Sequence, residues 1–381
     1  MKVYYLPLEA YRERYTECLT GWTCARFRGR PGIDLTVVNG VLMPGGGTIK
    51  SGAVLDAHGR SYWSTTQVAA LVSELYKGEC TSDDVIYLDD MFTPGYAALP
   101  YILSQTPRRE RPRLFARNHA QCVDPDDFTF KMRRWMRSYE HMVYQSANSV
   151  ICASSVHKEA MEVAMLDMCR AEIEVLGLPY DSAAVRQRGW LAPVVPASQR
   201  PHKVIYSSRF DAEKQPHFFM DIVESSDPSI EFVLCTGSDT VRSSLPSALE
   251  RLAALEKSKR ITVHRGCTKP DYYAHLASSR VQLNTARQDY VSYTALEAST
   301  FGTSTLAPAF RSFPEALRNN DQHLFVPWSI SDAVAKLANL VAEPPPSGED
   351  GWLARVHDLT LDRIIGAFAG ELPSTPWWEL V

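Results

Sequence analysis

Two short stretches in the second half of this 381-residue chain carry side chains suited to holding a charged ligand. In Tyr206-Ser207-Ser208-Arg209-Phe210-Asp211-Ala212-Glu213-Lys214-Gln215-Pro216, an apolar run ends in a small-residue turn, and Arg209 and Lys214 flank the start of a helix-like segment. Two cations and the N–H groups of a helix start, aimed at one point, suit a diphosphate. A helix start with ordinary surface charges accounts for the same residues. The second stretch runs from Asn284 to Ala298. Glu297 lies there among apolar helix residues (Ala295, Leu296, Ala298, Phe301), where a carboxylate is costly unless paired or used. Asp289 comes eight residues earlier, in the turn feeding that helix. The backbone N–H groups of Tyr290, Val291 and Ser292, with Thr294 in the first helical turn, form a second anion-binding end. Two carboxylates beside two anion sites fit a nucleotide sugar, one taking ribose hydroxyls and the other the transferred sugar. The plainer alternative makes Asp289 a helix cap and Glu297 a partly exposed helix residue.

Both stretches sit where strands would end. Apolar runs at 203–207, 231–236, 261–264, 281–284 and 303–307 alternate with helical patterns from 215 and over 245–258, 270–279 and 293–301. The first half repeats this logic, with runs at 3–8, 33–39, 84–88, 113–117, 149–153 and 173–176 separated by helical stretches. Strands of a few residues alternating with longer helices signal a parallel sheet covered on both faces. Residues 190–200, with Pro193 and Pro196 and no clear period, read as a linker. The expected architecture is therefore α/β, with two doubly wound Rossmann-like domains facing across a cleft. Residues 1–192 are expected to form one domain, on the acceptor side of such a ligand, and 201–350, which carries both stretches, the nucleotide-sugar domain. A helix and tail over 351–381 cross back to the first domain.

Composition narrows the function classes. A chain of this length with 45% hydrophobic and 22% charged residues is neither disordered nor fibrous. No run of about 18 apolar residues reads as a membrane span. Eight cysteines without a Cys-x-x-Cys pair make neither a disulfide framework nor a zinc site, and a reducing cytoplasm is the expected setting. A net charge of −4 argues against a bulk polycation. The basic residues nonetheless bunch in the first half, at Arg108–Arg117 and at Lys131, Arg133, Arg134 and Arg137. A solvated helix face explains such bunching more often than a phosphate track.

With these residues in view, the second half resembles the nucleotide-sugar domain of retaining glycosyltransferases of the GT-B fold, particularly family 4. Their hallmark is an acidic pair spaced Glu-x7-Glu, ending in Leu-Glu-Ala and preceded by an Arg…Lys pair. Asp289-x7-Glu297 keeps the spacing with Asp in the first place, and Leu296-Glu297-Ala298 matches the ending. Thr236-Gly237 and Gly266 fall where that family has glycines near the nucleotide, and Phe313-Pro314-Glu315 also has a counterpart. The resemblance implies a UDP- or other nucleoside-diphosphate sugar as donor, with no cofactor and no metal. Arg209 and Lys214 would neutralise the leaving diphosphate, Glu297 would hold ribose, and Asp289 would bind the sugar. Two departures stand out. Tyr290-Val291-Ser292 replaces the usual Gly-Phe-Gly, and Leu6-Pro7-Leu8-Glu9 replaces a glycine-pair loop.

A narrower likeness concerns Tyr293-Thr294-Ala295-Leu296-Glu297 followed by Gly302-Thr303, which is similar to a segment of the DNA α-glucosyltransferases of T-even bacteriophages. It implies double-stranded DNA with hydroxymethylated bases as acceptor, and the cytoplasm of an infected bacterium as setting. On the acceptor side, His119 lies just past a strand end and is expected to orient a hydroxyl. His58 is read in a Gly-rich loop over 40–62, Asp90 after the run at 84–88, and Arg133 and Arg134 as DNA contacts. A GT-B epimerase and a non-catalytic nucleotide-sugar or DNA-binding module are the competing readings. An NAD-binding protein is disfavoured, since no Gly-x-Gly-x-x-Gly follows any expected strand.

Overall fold

The computed structural model describes residues 1–10, 15–44, 56–77, 80–119, 122–165, 170–189, 195, 199–343 and 351–371. The chain divides into two compact units, one from Met1 to Pro179 that also takes the helix Thr360–Ala369, the other from Tyr180 to Leu359.

Six parallel strands build the first unit: β1 (Lys2–Leu6), β2 (Asp34–Val37), β3 (Val85–Leu88), β4 (Arg113–Arg117), β5 (Ser149–Cys152) and β6 (Glu172–Val175). Their order is β2-β1-β3-β4-β5-β6. Side chains alternate across the pleat, so each apolar strand feeds two cores. Tyr4, Leu6, Ile86, Leu88 and Leu114 face the helices Ala57–Tyr76, Leu99–Gln105, Arg133–Ser146 and Ser155–Met165. Val3, Tyr5, Val85, Tyr87 and Phe115 face Tyr15–Arg28 and Thr360–Ala369.

The second unit has β7 (Lys203–Tyr206), β8 (Glu231–Cys235), β9 (Ile261–His264), β10 (Val281–Leu283), β11 (Ser304–Pro308) and β12 (Leu324–Phe325), all parallel, in the order β12-β11-β10-β7-β8-β9. The chain starts at β7 in the middle, builds outward to β9, then restarts at β10 on the other side of β7. Helices leave β7 and β10 in opposite directions there, which opens a crevice above the carboxyl ends of these two strands.

Three differences from the sequence-based reading have local causes. The helix Ser182–Gly189 belongs to the second unit, so the division comes before the Pro-rich stretch rather than in it. A Cβ on Gly189 would sit 2.8 Å from Phe301 Cζ, and only glycine lets the helix end come so near. The single expected helix after residue 351 is two helices, Trp352–Asp358 in the second unit and Thr360–Ala369 in the first. The short β12 carries too few residues to announce itself by pattern. The expected linker lies mostly outside the described residues, as do the 344–350 interruption and the final tail. No helix among the described residues is long and apolar enough to cross a membrane.

Phe368 makes edge-on contacts with Phe27, Tyr87 and Phe115, the nearest with centroids 4.8 Å apart. Phe368→Ala is therefore expected to destabilise the first unit by about 3–5 kcal/mol, the usual cost of truncating a buried phenylalanine. Urea unfolding followed by circular dichroism measures it, and a loss under about 1 kcal/mol would show that the last helix is peripheral.

Candidate active site

The crevice above β7 and β10 is lined by the two stretches singled out above. The chain leaves β7, passes Arg209, and makes a short 3-10 turn over Ala212–Lys214. Gln215 then adopts φ 54°, a left-handed conformation that turns the chain sharply so that Pro216 can open the next helix. This turn is held from below. The Lys214 carbonyl accepts from Tyr206 Oη (3.0 Å) and from Thr285 Oγ1 (2.7 Å), so the loops after β7 and β10 are stitched through one backbone oxygen. The Lys214 ammonium points into the turn after β10, where Nζ lies 3.1 Å from Asp289 Oδ2 and donates to the Gln288 carbonyl at 2.9 Å.

Asp289 is fixed from the far side as well, since Ser312 Oγ donates to its carbonyl. Beyond it, Tyr290 is buried, Val291 half-buried, and Ser292 forms the boundary of the helix Tyr293–Thr300. Ser292 does not cap that helix through its side chain. Its hydroxyl accepts from Asn284 Nδ2 (3.1 Å) and meets Thr294 Oγ1 at 2.9 Å, and Gln282 Nε2 also reaches Thr294 Oγ1 (3.3 Å). Asp289 is thus an ion-pair partner of Lys214 rather than a cap.

Glu297, the fifth residue of that helix, is 6% exposed, and it is paired. Lys269 Nζ lies 2.7 Å from Glu297 Oε1, and Tyr273 Oη donates to the same oxygen at 3.0 Å. Lys269 Nζ also sits 5.1 Å and 5.3 Å from the ring centres of Tyr272 and Tyr273. Tyr272 in turn donates to Ser207 Oγ (3.2 Å), tying this group back to the end of β7. Burial, then the Glu297 charge, pushes the Tyr272 hydroxyl well above its ordinary value. Lys269 escaped the sequence reading because it meets Glu297 only through the fold. The available signal was Thr268-x-x-Asp271, a capping box that marks Lys269 as the first residue of a helix entering from β9.

The remaining residues of this unit fall around that centre. Thr236 and Gly266 lie on loops after β8 and β9 that bond to each other: Thr236 N donates to His264 O, Cys267 N to Thr236 O, and Gly266 N to Ser238 O. Gly266 has φ 63°, where a side chain would be strained. Arg209 does not join Lys214 and Asp289. It pairs with Asp211 (3.2 Å) and Glu213 (2.5 Å), with 56% of its side chain exposed. Among the described residues no group of three or more His, Cys, Asp or Glu is arranged to hold a metal ion.

In the first unit, the crossover between β1 and β3 is filled by charge. Arg60 pairs with Asp90 (2.6 Å) and Glu9 (3.1 Å), all three buried, and Asp90 also accepts from Phe92 N. Asp90, expected as an open acceptor ligand, is engaged in holding two strand ends together. His58 is not in a loop. Asp56 accepts from His58 N and starts a helix over Ala57–Tyr76, leaving His58 exposed in its first turn. Arg133 and Arg134 are exposed at the start of Arg133–Ser146, and Arg133 stacks over Phe130 at 4.1 Å.

His119 follows β4, with Nε2 2.9 Å from the Asp89 carbonyl. A carbonyl only accepts, so the proton sits on Nε2 and Nδ1 carries the lone pair. Burial pushes this imidazole down to about 4, so it is neutral near neutral pH. Beyond it, Cys122 donates through N (2.9 Å) and Sγ (3.0 Å) to the buried Glu140 carboxylate.

No family model matches this sequence, and a search of curated proteins finds nothing similar to it. Solved structures do match in three dimensions. The sucrose-phosphate synthase of Thermosynechococcus elongatus superposes with a TM-score of 0.63 at 14% identity, over 97% of this chain and 97% of that one. The catalytic domain of starch synthase IV from Arabidopsis thaliana, bound to ADP and acarbose, gives 0.64 at 12% identity over 97% and 99%. The pneumococcal O-GlcNAc transferase GtfA, in complex with UDP and GlcNAc, gives 0.56 at 12% identity over 81% of this chain and 60% of that one. The fold is GT-B. With two parallel six-stranded sheets of these orders, this agrees with the architecture expected from the sequence.

Glu140 gives this unit a pH signature. Burial raises its carboxyl from 4.5 to about 7, against the pull of the Cys122 hydrogen bonds. A raised carboxyl contributes stability in its neutral form, present below the ordinary value and lost as pH rises through the folded one. The contribution of Glu140 to the urea stability of the first unit, read as the difference between wild type and Glu140→Gln, is expected to fall by up to about 3 kcal/mol between about pH 5 and pH 8, while the buried His119 and His157 work in the opposite direction in both proteins. Glu140→Gln keeps an acceptor without the charge; a difference that does not change with pH would assign the slope to other groups.

Proposed function

We propose that this chain is a nucleotide-sugar-dependent glycosyltransferase that moves a sugar from a UDP- or other nucleoside-diphosphate sugar to a hydroxyl acceptor, without a metal and with retention at the anomeric carbon. The observation that carries this is the Lys214–Asp289 pair in the crevice above β7 and β10, with Glu297 on the helix that follows. Lys214 can turn from Asp289 to the diphosphate as negative charge develops on the leaving group, where a fixed cation is most valuable. Asp289 then takes sugar hydroxyls in exchange, and Glu297 takes ribose. Arg209, over half exposed, would reach the outer phosphate only by leaving Asp211 and Glu213, and the turn Tyr290-Val291-Ser292 with Thr294 borders the phosphates. The loops carrying Thr236 and Gly266 flank the nucleoside. Retention rests on the sequence resemblance to family 4. Two of the similar solved structures, GtfA in complex with UDP and starch synthase IV bound to ADP, agree with this class of donor.

For the acceptor, the first unit favours a polyanion. Lys131, Arg133, Arg134 and Arg137 are exposed together with Trp135 at 48%, while Glu140 on the same helix is buried against Cys122. Such a face fits DNA bearing hydroxymethylated bases, with Arg133 and Arg134 on phosphates. Neutral His119, with Nδ1 as acceptor, would orient the attacking hydroxyl, with exposed His58 a weaker member of the acceptor group, while Asp90, held by Arg60, serves the fold instead. A carbohydrate acceptor is the second reading, favoured by the likeness to sucrose-phosphate synthase and starch synthase.

The test is a panel of nucleotide sugars assayed for thermal stabilisation and nucleoside diphosphate release, with and without hydroxymethylated DNA. One stabilising donor turned over only with modified DNA is the expected result. Turnover with oligosaccharide alone would move the acceptor to the second reading, and a chain stabilised by no donor would leave the transferase reading without support. Lys214→Ala and Glu297→Ala, both folded by circular dichroism, are expected to lose at least about a hundredfold in turnover. Arg133→Glu is expected to weaken DNA binding and to make the affinity less dependent on salt.

A further inference from the structure

Glu297 is an unusual acceptor for a diol, because one of its oxygens is already taken twice. Oε1 receives Lys269 Nζ at 2.7 Å and Tyr273 Oη at 3.0 Å. A carboxylate so engaged has little capacity left on that oxygen, and a ligand reaching it meets the carboxylate and the ammonium side by side. Lys269 is held in that position by three independent features. The capping box between Thr268 and Asp271 sets it at the first helical residue. The rings of Tyr272 and Tyr273, themselves 5.4 Å apart, both lie within cation–π range of its ammonium. Glu297 fixes the third direction. Its side chain is 24% exposed, whereas that of Glu297 is 8% exposed, so Lys269 is the more accessible member of the pair. An ammonium has three N–H donors, and the pairing with Glu297 uses one.

We propose that Lys269 is a specificity-determining residue of the nucleoside site: its ammonium donates to one hydroxyl oxygen of the ribose while Glu297 accepts from the other hydroxyl. The inference rests on the donor reading given above. It follows from chemistry, since vicinal hydroxyls present both donors and acceptors and a lysine–carboxylate pair complements one of each. A nucleotide lacking either hydroxyl leaves one member of the buried pair without its ligand contact, which is costly to both. The site thereby reads ribose against deoxyribose with two residues that fail separately.

The experiment measures binding of UDP, ADP and GDP by calorimetry, then of the 2′-deoxy and 3′-deoxy analogues of whichever binds, to wild type, Lys269→Met, Lys269→Arg and Glu297→Gln. In wild type, loss of either hydroxyl is expected to weaken binding about ten- to hundredfold, the range for hydrogen bonds to charged groups. In Lys269→Met the penalty for one deoxy analogue is expected to collapse to about twofold while the other persists, with Lys269→Arg restoring most of it. Glu297→Gln is expected to blunt the opposite penalty. Two penalties unchanged in Lys269→Met would overturn the proposal. Equal collapse of both would reduce Lys269 to a prop for Glu297 and overturn it too. Should Lys269→Met fail to fold, Lys269→Arg and Glu297→Gln carry the comparison: an arginine near wild-type with a glutamine that blunts one penalty supports the proposal, and a glutamine that loses both penalties overturns it. Wild-type protein that binds none of the three diphosphates would instead sink the donor reading on which this stands.

Discussion

The second unit depends on one oxygen and one ammonium of the same residue. The Lys214 carbonyl is the point at which Tyr206 and Thr285 draw the loops after β7 and β10 together, and the Lys214 ammonium then reaches Asp289 and the Gln288 carbonyl. The loop from β7 could not turn back in this way without the left-handed Gln215 that follows. Backbone strain of that kind is tolerated where surrounding bonds over-determine it. Here the lysine's own two ends supply those bonds, so the positions of the cation and of the acid are set by a single local structure.

This coupling explains how two carboxylates survive close to the core. Asp289 has Lys214, and Glu297 has Lys269 with Tyr273. The first unit uses the same device to different effect. Arg60 with Glu9 and Asp90 is sealed from solvent, and so is the looser approach of Arg117 to Asp89 at 3.9 Å. Removing one partner of a sealed pair strands a charge and costs several kcal/mol, about 3–5 in known cases. The Asp90 cluster therefore acts as a fastener at the β1–β3 crossover, where a ligand would have to break it to gain anything.

The parallel sheets were legible because every strand but the last is a short apolar run between polar turns, and the strand ends fixed where Lys214, Asp289 and Glu297 would lie. What stayed hidden was hidden for physical reasons. The helix Ala57–Tyr76 begins inside a Gly-rich stretch, and its signal is the single Asp56 cap. The helix Ser182–Gly189 is too short and weakly patterned to stand out, yet it packs on the site-bearing unit through a glycine that Phe301 covers. Lys269 opens the helix that follows β9, on the far side of β8, and the pairing with Glu297 exists only after the sheet has brought β9 and β10 to either side of β7 and β8. Arg209 shows the reverse. The sequence groups it with Lys214, but Asp211 and Glu213, both in the same turn, capture it first.

The openness of the two lysine–acid pairs separates a site from a fastener. Each lysine–acid pair has one buried member, Lys214 at 10% or Glu297 at 8%, and one open member, Asp289 at 21% or Lys269 at 24%, whereas Arg60, Glu9 and Asp90 are all closed at 8%, 3% and 10%. A pair with one open member can exchange partners at modest cost when that member, Asp289 or Lys269, is the group released to water. An anion entering the crevice would compete with Asp289 for Lys214, and hydroxyl groups on the same ligand would compensate the acid. A ligand offering only one of these, a bare phosphate or a neutral sugar, leaves one partner of the pair unmatched. The electrostatics of this unit therefore favour a molecule that carries phosphate and hydroxyls together, in preference to either alone.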